Sequence, residues 1–399
     1  MVNEKMRELG ARRSVIRELF EYGKKRKEEI GAENVFDFSI GNPSVPAPAA
    51  VNETLCELLQ KKDSVALHGY TSAQGDANVR RAIAEYVAKT EGAETDPDLV
   101  YLTVGAAASL TVTLTAVLHE GDEVILLVPF FPEYRVFVER TGATAVPVLC
   151  KAPSFQPDFE ALERAITPKT RAIIVNSPNN PTGAVLTEES ACRLGELLRA
   201  CSQKYNSDIY LLSDEPYREL VYGDTKVPSL LGAYDNTVVC YSFSKSLSLP
   251  GERIGYIMVS PRATDPVALY QAVCGAGRAL GFVCAPALFQ YMIPSVLGLT
   301  SDLSVYDTNR KLLYDALTSY GYEAVKPDGA FYLFVKALEE DANAFCERAK
   351  EQELLLVASD SFGCGGYVRI SYCVTTEQIE RALPAFKRLA ESYGIAGTV

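Results

Sequence analysis

The chain has 399 residues, 48% of them hydrophobic and 23% charged, a balance that suits a globular protein of two domains with a large core. Its 51 acidic and 39 basic residues give a net charge of -12, which argues against a nucleic-acid partner, because phosphate-backbone binding shows as clustered excess Lys and Arg. Ten cysteines without a CxxC pair argue against a zinc site or a disulfide scaffold and suit a reducing cytoplasm.

Residues 1–30 read as one charged amphipathic helix, and its basic run KKRK at 24–27, followed at once by EEI, reads as a solvated helix face. This segment lacks the apolar core of a signal peptide, and no run approaches the roughly 20 apolar residues of a membrane span, so the expected setting is the cytoplasm with no membrane partner. The stretch FDFSIGNPSVPAP at 36–48 reads as an extended arm, because three prolines and a glycine interrupt regular structure.

From about residue 100, short apolar runs alternate with helical patterns: LVYLTVG, AAASLTVTLTAVLHEG, EVILLVP, a helix near 133–141, AIIVNSP, TEESACRLGELLRACSQKY, DIYLLSDEP, TVVCYSFS and RIGYIMVS. Such alternation predicts an α/β domain with a mainly parallel sheet between helices, whose functional groups lie at the carboxyl ends of strands. The helix starting at 106 is expected to end at Gly121, and the two histidines, His68 and His119, read as structural. After about 290 the pattern changes to long helices, two strands around GAFYLFVK and YVRISYC, and a last helix over 375–393, which predicts a smaller α+β domain. The expected division is residues 1–45 as an arm with part of the small domain, 46–288 as the large domain and 289–399 as the small one.

One lysine stands where a charged amine is least welcome. In VVCYSFSKSLSLPGERIGY, Lys245 follows a buried strand directly, so it calls for a partner, a lowered pKa or a covalent use. Ser242 and Lys245 form an S-x-x-K pair suited to a serine nucleophile, but the companion motifs SDN and KTG are absent. The other covalent use is a Schiff base to a carbonyl such as pyridoxal phosphate, which needs an anion cradle, a carboxylate for the ring nitrogen and a flat surface. Gly105, Ala106 and Ala107 follow a strand and open a helix, so their amides can face an anion, and Arg253 beyond the PGE turn can grip a phosphate through its fork. Asp214 ends the strand DIYLLS and suits the ring nitrogen, with its neighbour Glu215 as the competitor, while Tyr217 and Asn180 are donors for the phenolic oxygen.

Together these motifs resemble the class I pyridoxal phosphate aminotransferases of the aspartate aminotransferase superfamily over nearly the whole chain. They stand in family order: GNP at 41–43, Tyr70 before Gly75 and Arg80, VGAAAS at 104–109, PFFPEY at 129–134, NSPNNPTG at 176–183, SDEPY at 213–217, SFSK and GERIGY within 242–256, and RISY at 369–372. The resemblance implies a fold-type I transferase that moves an amino group between an L-amino acid and a 2-oxo acid, with aspartate and 2-oxoglutarate as a candidate pair. It implies that Lys245 carries pyridoxal 5'-phosphate, that Asp214 pairs with the ring nitrogen, and that Asn180 and Tyr217 contact the phenolic oxygen. Ser242, Arg253 and the 105–107 turn would hold the phosphate and Phe131 would stack on the ring. Arg369, with Gly41 and Asn180 nearby, would grip the substrate's α-carboxylate. Tyr70 would reach the phosphate of a neighbouring subunit, which makes a homodimer part of the expectation.

Two departures bear on substrate. The phosphate turn reads GAA, without the lysine that in some bacterial members also reads a distal carboxylate. Arg278 lies about one residue from where other members place a cross-subunit arginine for dicarboxylic substrates; otherwise it is a surface or interface residue, and an apolar or aromatic donor is favoured. A C–S β-lyase of the same scaffold is the alternative chemistry, and a non-enzymatic regulatory module a remote one, since no basic helix-turn-helix precedes the domain. A dinucleotide enzyme is disfavoured, because no GxGxxG follows an early strand.

Overall fold

The computed structural model describes residues 1–11 and 15–395. Seven strands form the main sheet: β1 (Val100–Thr103), β2 (Glu123–Val128), β3 (Thr144–Leu149), β4 (Thr170–Asn176), β5 (Tyr210–Asp214), β6 (Thr237–Ser242) and β7 (Gly255–Val259). Their spatial order is β1-β7-β6-β5-β4-β2-β3. Only β7 runs antiparallel to its neighbours. The near-continuous apolar runs are explained by burial on both faces: Ile174 and Leu212 pack with Leu110 and Leu114 of the helix Ala106–Val117, while Ile173 and Leu211 pack with Leu194 and Leu198 of the helix Glu188–Tyr205 on the other side.

A second sheet comprises β8 (Ala324–Val325), β9 (Tyr332–Lys336), β10 (Val357–Ala358) and β11 (Tyr367–Ser371), antiparallel in the order β10-β11-β9-β8. Its core takes in Leu313 and Leu317 of the helix Leu303–Ser319, Phe345 of Ala342–Lys350 and Phe386 of Thr376–Ser392. The N-terminal arm joins this body: Phe36–Asp37 pairs parallel with Leu354–Leu355, and Phe38 and Val45 enter the same apolar cluster. The helix Ala287–Val296 crosses the 288/289 boundary expected from sequence and buries Met292, Ile293 and Val296 with Val79 and Ile83, beside the main sheet.

Over 1–30 the chain forms the helices Glu4–Ala11 and Val15–Ile30, and residues 12–14 of the expected single helix lie outside the described residues. Lys24 and Lys25 face solvent, whereas Arg26 and Lys27 reach Glu353 at 2.5 Å and Asp37 at 3.1 Å. The helix from Ala106 stops at Val117, four residues before Gly121, because Leu118 turns extended and the His119 amide donates to Asp122 Oδ2 at 2.8 Å. Among the described residues no helix is long and apolar enough to cross a membrane, and no cluster of His, Cys, Asp and Glu is arranged to hold a metal ion.

Candidate active site

Strands β4, β5 and β6 are successive neighbours, and their last residues are Asn176, Asp214 and Ser242. Parallel strands stand about 4.8 Å apart, so this row of polar ends spans roughly the width of one aromatic ring and its substituents. After β6 the chain tightens into the turn Phe243–Ser246, where Ser242 accepts the Ser244 amide at 3.3 Å. That turn delivers Lys245 into a cavity of about 290 Å³, which Asp214, Tyr217, Asn180, Arg253 and Arg369 also line.

Lys245 has no carboxylate partner among the described residues; its Nζ donates to the Gly41 carbonyl at 2.6 Å. Burial pulls its pKa down to about 8, with nearby Cys373 opposing and Arg369 and Arg253 adding to the fall. Near neutral pH a useful fraction of the amine is therefore unprotonated and nucleophilic.

Asp214 is 5% exposed. Its Oδ2 accepts from the Tyr134 hydroxyl and from Asn176 Nδ2, while the equally buried Oδ1 has no hydrogen-bond partner. Burial raises its pKa to about 7, against the lowering effect of the Tyr134 hydrogen bond and with a further push from Glu215. Glu215 instead accepts from Ser213 Oγ at 2.5 Å and pairs with Arg218 at 3.1 Å. Its carboxylate is satisfied, and of the two acids only Asp214 lines the cavity.

At the other end, β1 runs into Gly105, whose φ of +94° is open to glycine at little cost, and then into the helix from Ala106. A Cβ at Gly105 would stand 3.0 Å from Arg253 Nη2 and 3.4 Å from Ser242 Oγ. Arg253 itself is held at φ +50°, a left-handed conformation unusual for a non-glycine residue. Ala106, Ala107 and Phe131 line the same cavity, and Phe131 meets Tyr134 edge-on at 5.7 Å.

Arg369, on β11, is 2% exposed and has no carboxylate partner among the described residues. Its Nη1 donates to Asn180 Oδ1 at 3.1 Å and its Nη2 to the Ser39 carbonyl, while Nε has no partner. A buried, unpaired guanidinium calls for an anionic ligand.

Of the residues singled out from sequence, Tyr70, Gly105, Glu215 and Arg278 do not line this chain's cavity, although Gly105 adjoins Arg253 and Ser242 at its edge. Tyr70 is 97% exposed and Arg278 lies exposed on the helix Pro266–Leu280. The sequence reading missed Tyr134 and Asn176, which hold Asp214, and Tyr332, which lies under Arg369. Asn176 carries a signal, a polar residue that ends an apolar strand in register with Asp214. Tyr332 carried none, since its place depends on the pairing of β9 with β11.

The cavity fits pyridoxal phosphate on its own chemistry: an orphaned carboxylate oxygen for a protonated ring nitrogen, a glycine-floored cradle for a dianion, and an amine of lowered basicity between them. The family model for aminotransferases of class I and II matches residues 33–386. An aspartate aminotransferase of Thermotoga maritima is 32% identical over 357 residues, 88% of this chain and 90% of that protein. An aromatic-amino-acid aminotransferase of Thermococcus litoralis is 30% identical over 393 residues, covering 94% of this chain and 95% of that protein. Among solved structures, an amino transferase from Eubacterium rectale has a TM-score of 0.97 at 56% identity, covering 98% of this chain and 99% of the other. The aspartate aminotransferase from Thermus thermophilus with maleate has a TM-score of 0.86 at 27% identity, with coverages of 98% and 100%.

Fold and cavity thus define a transferase that uses pyridoxal phosphate. The chain belongs to the class I and II aminotransferases, enzymes that pass an amino group between an amino acid and a 2-oxo acid, and these relatives do not favour the β-lyase alternative.

Proposed function

We propose that Lys245 is the residue that holds pyridoxal phosphate and then moves the substrate's α-proton. What carries this assignment is one cavity that contains an unpaired buried amine and, on a neighbouring strand, a buried carboxylate with an empty acceptor position. When bound, the cofactor supplies an aldehyde to join that amine and a ring that withdraws electrons from the substrate's α-carbon. Asp214, whose Oδ1 is without a partner, would hold the ring nitrogen and favour its protonated form. Tyr217 and Asn180 would hold the phenolic oxygen, and Phe131 would supply a stacking surface for the ring. Ser242, Arg253 and the amides of Gly105, Ala106 and Ala107 hold the phosphate.

Arg369 fixes the substrate's α-carboxylate, assisted by Asn180 and the Gly41 backbone, and so aims the α-hydrogen at Lys245 Nζ. The freed amine of Lys245, already lowered toward neutrality by burial, would accept that proton at Nζ and hold it for the return step. The arm 1–45 with the second sheet forms the small domain over this site, and the large domain runs past residue 288 to include the helix Ala287–Val296.

We further propose that the working form is a homodimer. Tyr70, wholly exposed in one chain, would then meet the phosphate of the other copy. Lys245, Arg253 and Arg369 are the cations of the cavity among the described residues, and each already has a task. A second carboxylate, as in aspartate, would need a further cation, for which Arg278 of the partner subunit is the candidate; without it an apolar or aromatic donor is favoured. Borohydride treatment of the cofactor-loaded protein should fix the cofactor to the peptide that carries Lys245, and Lys245→Ala should remove that adduct. An adduct that persists on the variant rejects the assignment. Unchanged aspartate turnover in Arg278→Leu removes the role given to that arginine.

A further inference from the structure

Tyr332 touches three parts of the site at once. Its hydroxyl lies 2.8 Å from the Tyr217 hydroxyl, and the rings meet edge-on at 5.7 Å. Its ring lies 4.7 Å from the Arg369 guanidinium carbon. Its hydroxyl also occupies the space a side chain at Gly41 would need, and the Gly41 carbonyl accepts from Lys245 at 2.6 Å. The register of β9 and β11 produces this convergence: Phe334 pairs with Arg369, and Tyr332, two residues earlier on the same face, sits diagonally beneath the guanidinium.

The direction of the phenol pair follows from the task given to each proton. Tyr332 is 2% exposed and, like Tyr217, lines the cavity, and either hydroxyl could donate to the other; the role proposed above commits the single Tyr217 proton to the cofactor's phenolic oxygen, which leaves the Tyr217 oxygen to accept. A buried hydroxyl does not leave its proton unused. Tyr332 therefore donates, Tyr217 accepts, and the Tyr217 proton is left for an acceptor in the cavity that it lines.

We infer that Tyr332 is a positioning residue for the reaction: its hydroxyl orients and strengthens Tyr217 as a donor into the cavity, and its ring seats Arg369 for the substrate carboxylate. This rests on the roles assigned above to Lys245, Tyr217 and Arg369. The two halves separate by substitution. Tyr332→Phe keeps the ring under Arg369 and removes the donor to Tyr217; Tyr332→Leu removes both.

The measurement is a pH titration of the visible absorbance of the cofactor-loaded protein, together with KM for several amino acids. In Tyr332→Phe the midpoint should move upward by roughly 0.3–1 pH unit, because a chain of hydrogen bonds polarises its members, while KM stays within about twofold. The shift should vanish when Tyr217 is already Phe, since the effect passes through that residue. In Tyr332→Leu, KM should rise about 5- to 30-fold for every amino acid alike, the loss expected of a desolvated cation–π contact. An unmoved midpoint in the Phe variant, or a shift of equal size in the Tyr217→Phe background, overturns the role of the hydroxyl. An unchanged KM in the Leu variant overturns the role of the ring, and if that variant fails to load cofactor the Phe series decides the matter alone. Absence of any visible band from unmodified protein incubated with cofactor would instead strike at the Lys245 assignment, and with it this one.

Discussion

Replacing Asp214 with Asn should stabilise the cofactor-free protein at alkaline pH while it weakens cofactor binding. Burial lifts the Asp214 carboxyl from 3.8 to about 7, which corresponds to roughly 4 kcal/mol between its charged and neutral forms. The proton is held more tightly in the folded chain than in the unfolded one. As pH rises from about 4 the unfolded chain loses its proton first, so the folded state loses this stability progressively until about pH 7, after which the difference is constant. The Asn variant lacks the titration and can still accept from Tyr134. Urea denaturation of cofactor-free protein should therefore show the variant gaining on wild type by about 2.6 kcal/mol between pH 5 and pH 8. Cofactor affinity should fall by about 10- to 150-fold, as expected for loss of a hydrogen bond to a charged group. A variant whose stability relative to wild type does not change with pH, or one that binds cofactor undiminished, would show that Asp214 is neither strained in the empty cavity nor the partner of the ring nitrogen.

Arg369→Lys keeps the charge but loses the planar fork, and should raise KM for amino donors by about 10- to 100-fold with the cofactor's visible band retained, as steady-state kinetics would show. Tyr134→Phe removes the hydrogen bond that holds the Asp214 pKa down, so cofactor affinity measured by fluorescence titration should drop severalfold, and more steeply below pH 7. Gly105→Ala places a methyl group 3.0 Å from Arg253 Nη2 at a φ of +94°. It should weaken binding of cofactor at least about tenfold, while circular dichroism reports an unchanged fold.

Much of this site is legible in the sequence for one reason: a parallel strand buried on both faces is apolar until its carboxyl end, so the first polar residue there marks the edge of the cleft. Asp214, Ser242 and Lys245 announce themselves in this way, and Gly105 does so as the glycine between β1 and its helix. The choice between Asp214 and Glu215 is not local. It depends on the register of Asn176 with Asp214 and on Arg218 satisfying Glu215 from the far side. Arg369 and Tyr332 stand 37 residues apart and meet through strand pairing, which no periodicity encodes; the family motif RISY marks Arg369, and no motif marks Tyr332. The helix from Ala106 ends before Gly121, the glycine that marks a stop in the sequence, because the Asp122 side chain draws the His119 amide into a turn. Tyr70 and Arg278 point away from their own chain's cavity, so their use depends on contacts that a single chain does not contain.

The charge balance of the cavity explains why it needs its ligands. Lys245, Arg253 and Arg369 face a single carboxylate whose own pKa sits near 7, so the lining carries excess positive charge within a protein of net charge -12. Burial lowers the pKa of both Lys245 and Arg369, which shows that each is charged against the preference of its surroundings. In the assignment proposed above, a ligand with a dianionic phosphate, a protonated ring nitrogen and a carbonyl would relieve these groups together, and a substrate carboxylate would complete the pairing of Arg369. Whatever binds the folded chain alone stabilises it, by about 2.7 kcal/mol at a hundred times its Kd. Loss of cofactor and loss of stability are thus two readings of one electrostatic balance. Substitutions that weaken the cradle at Gly105 or Arg253 should lower the unfolding temperature in the presence of cofactor far more than in its absence.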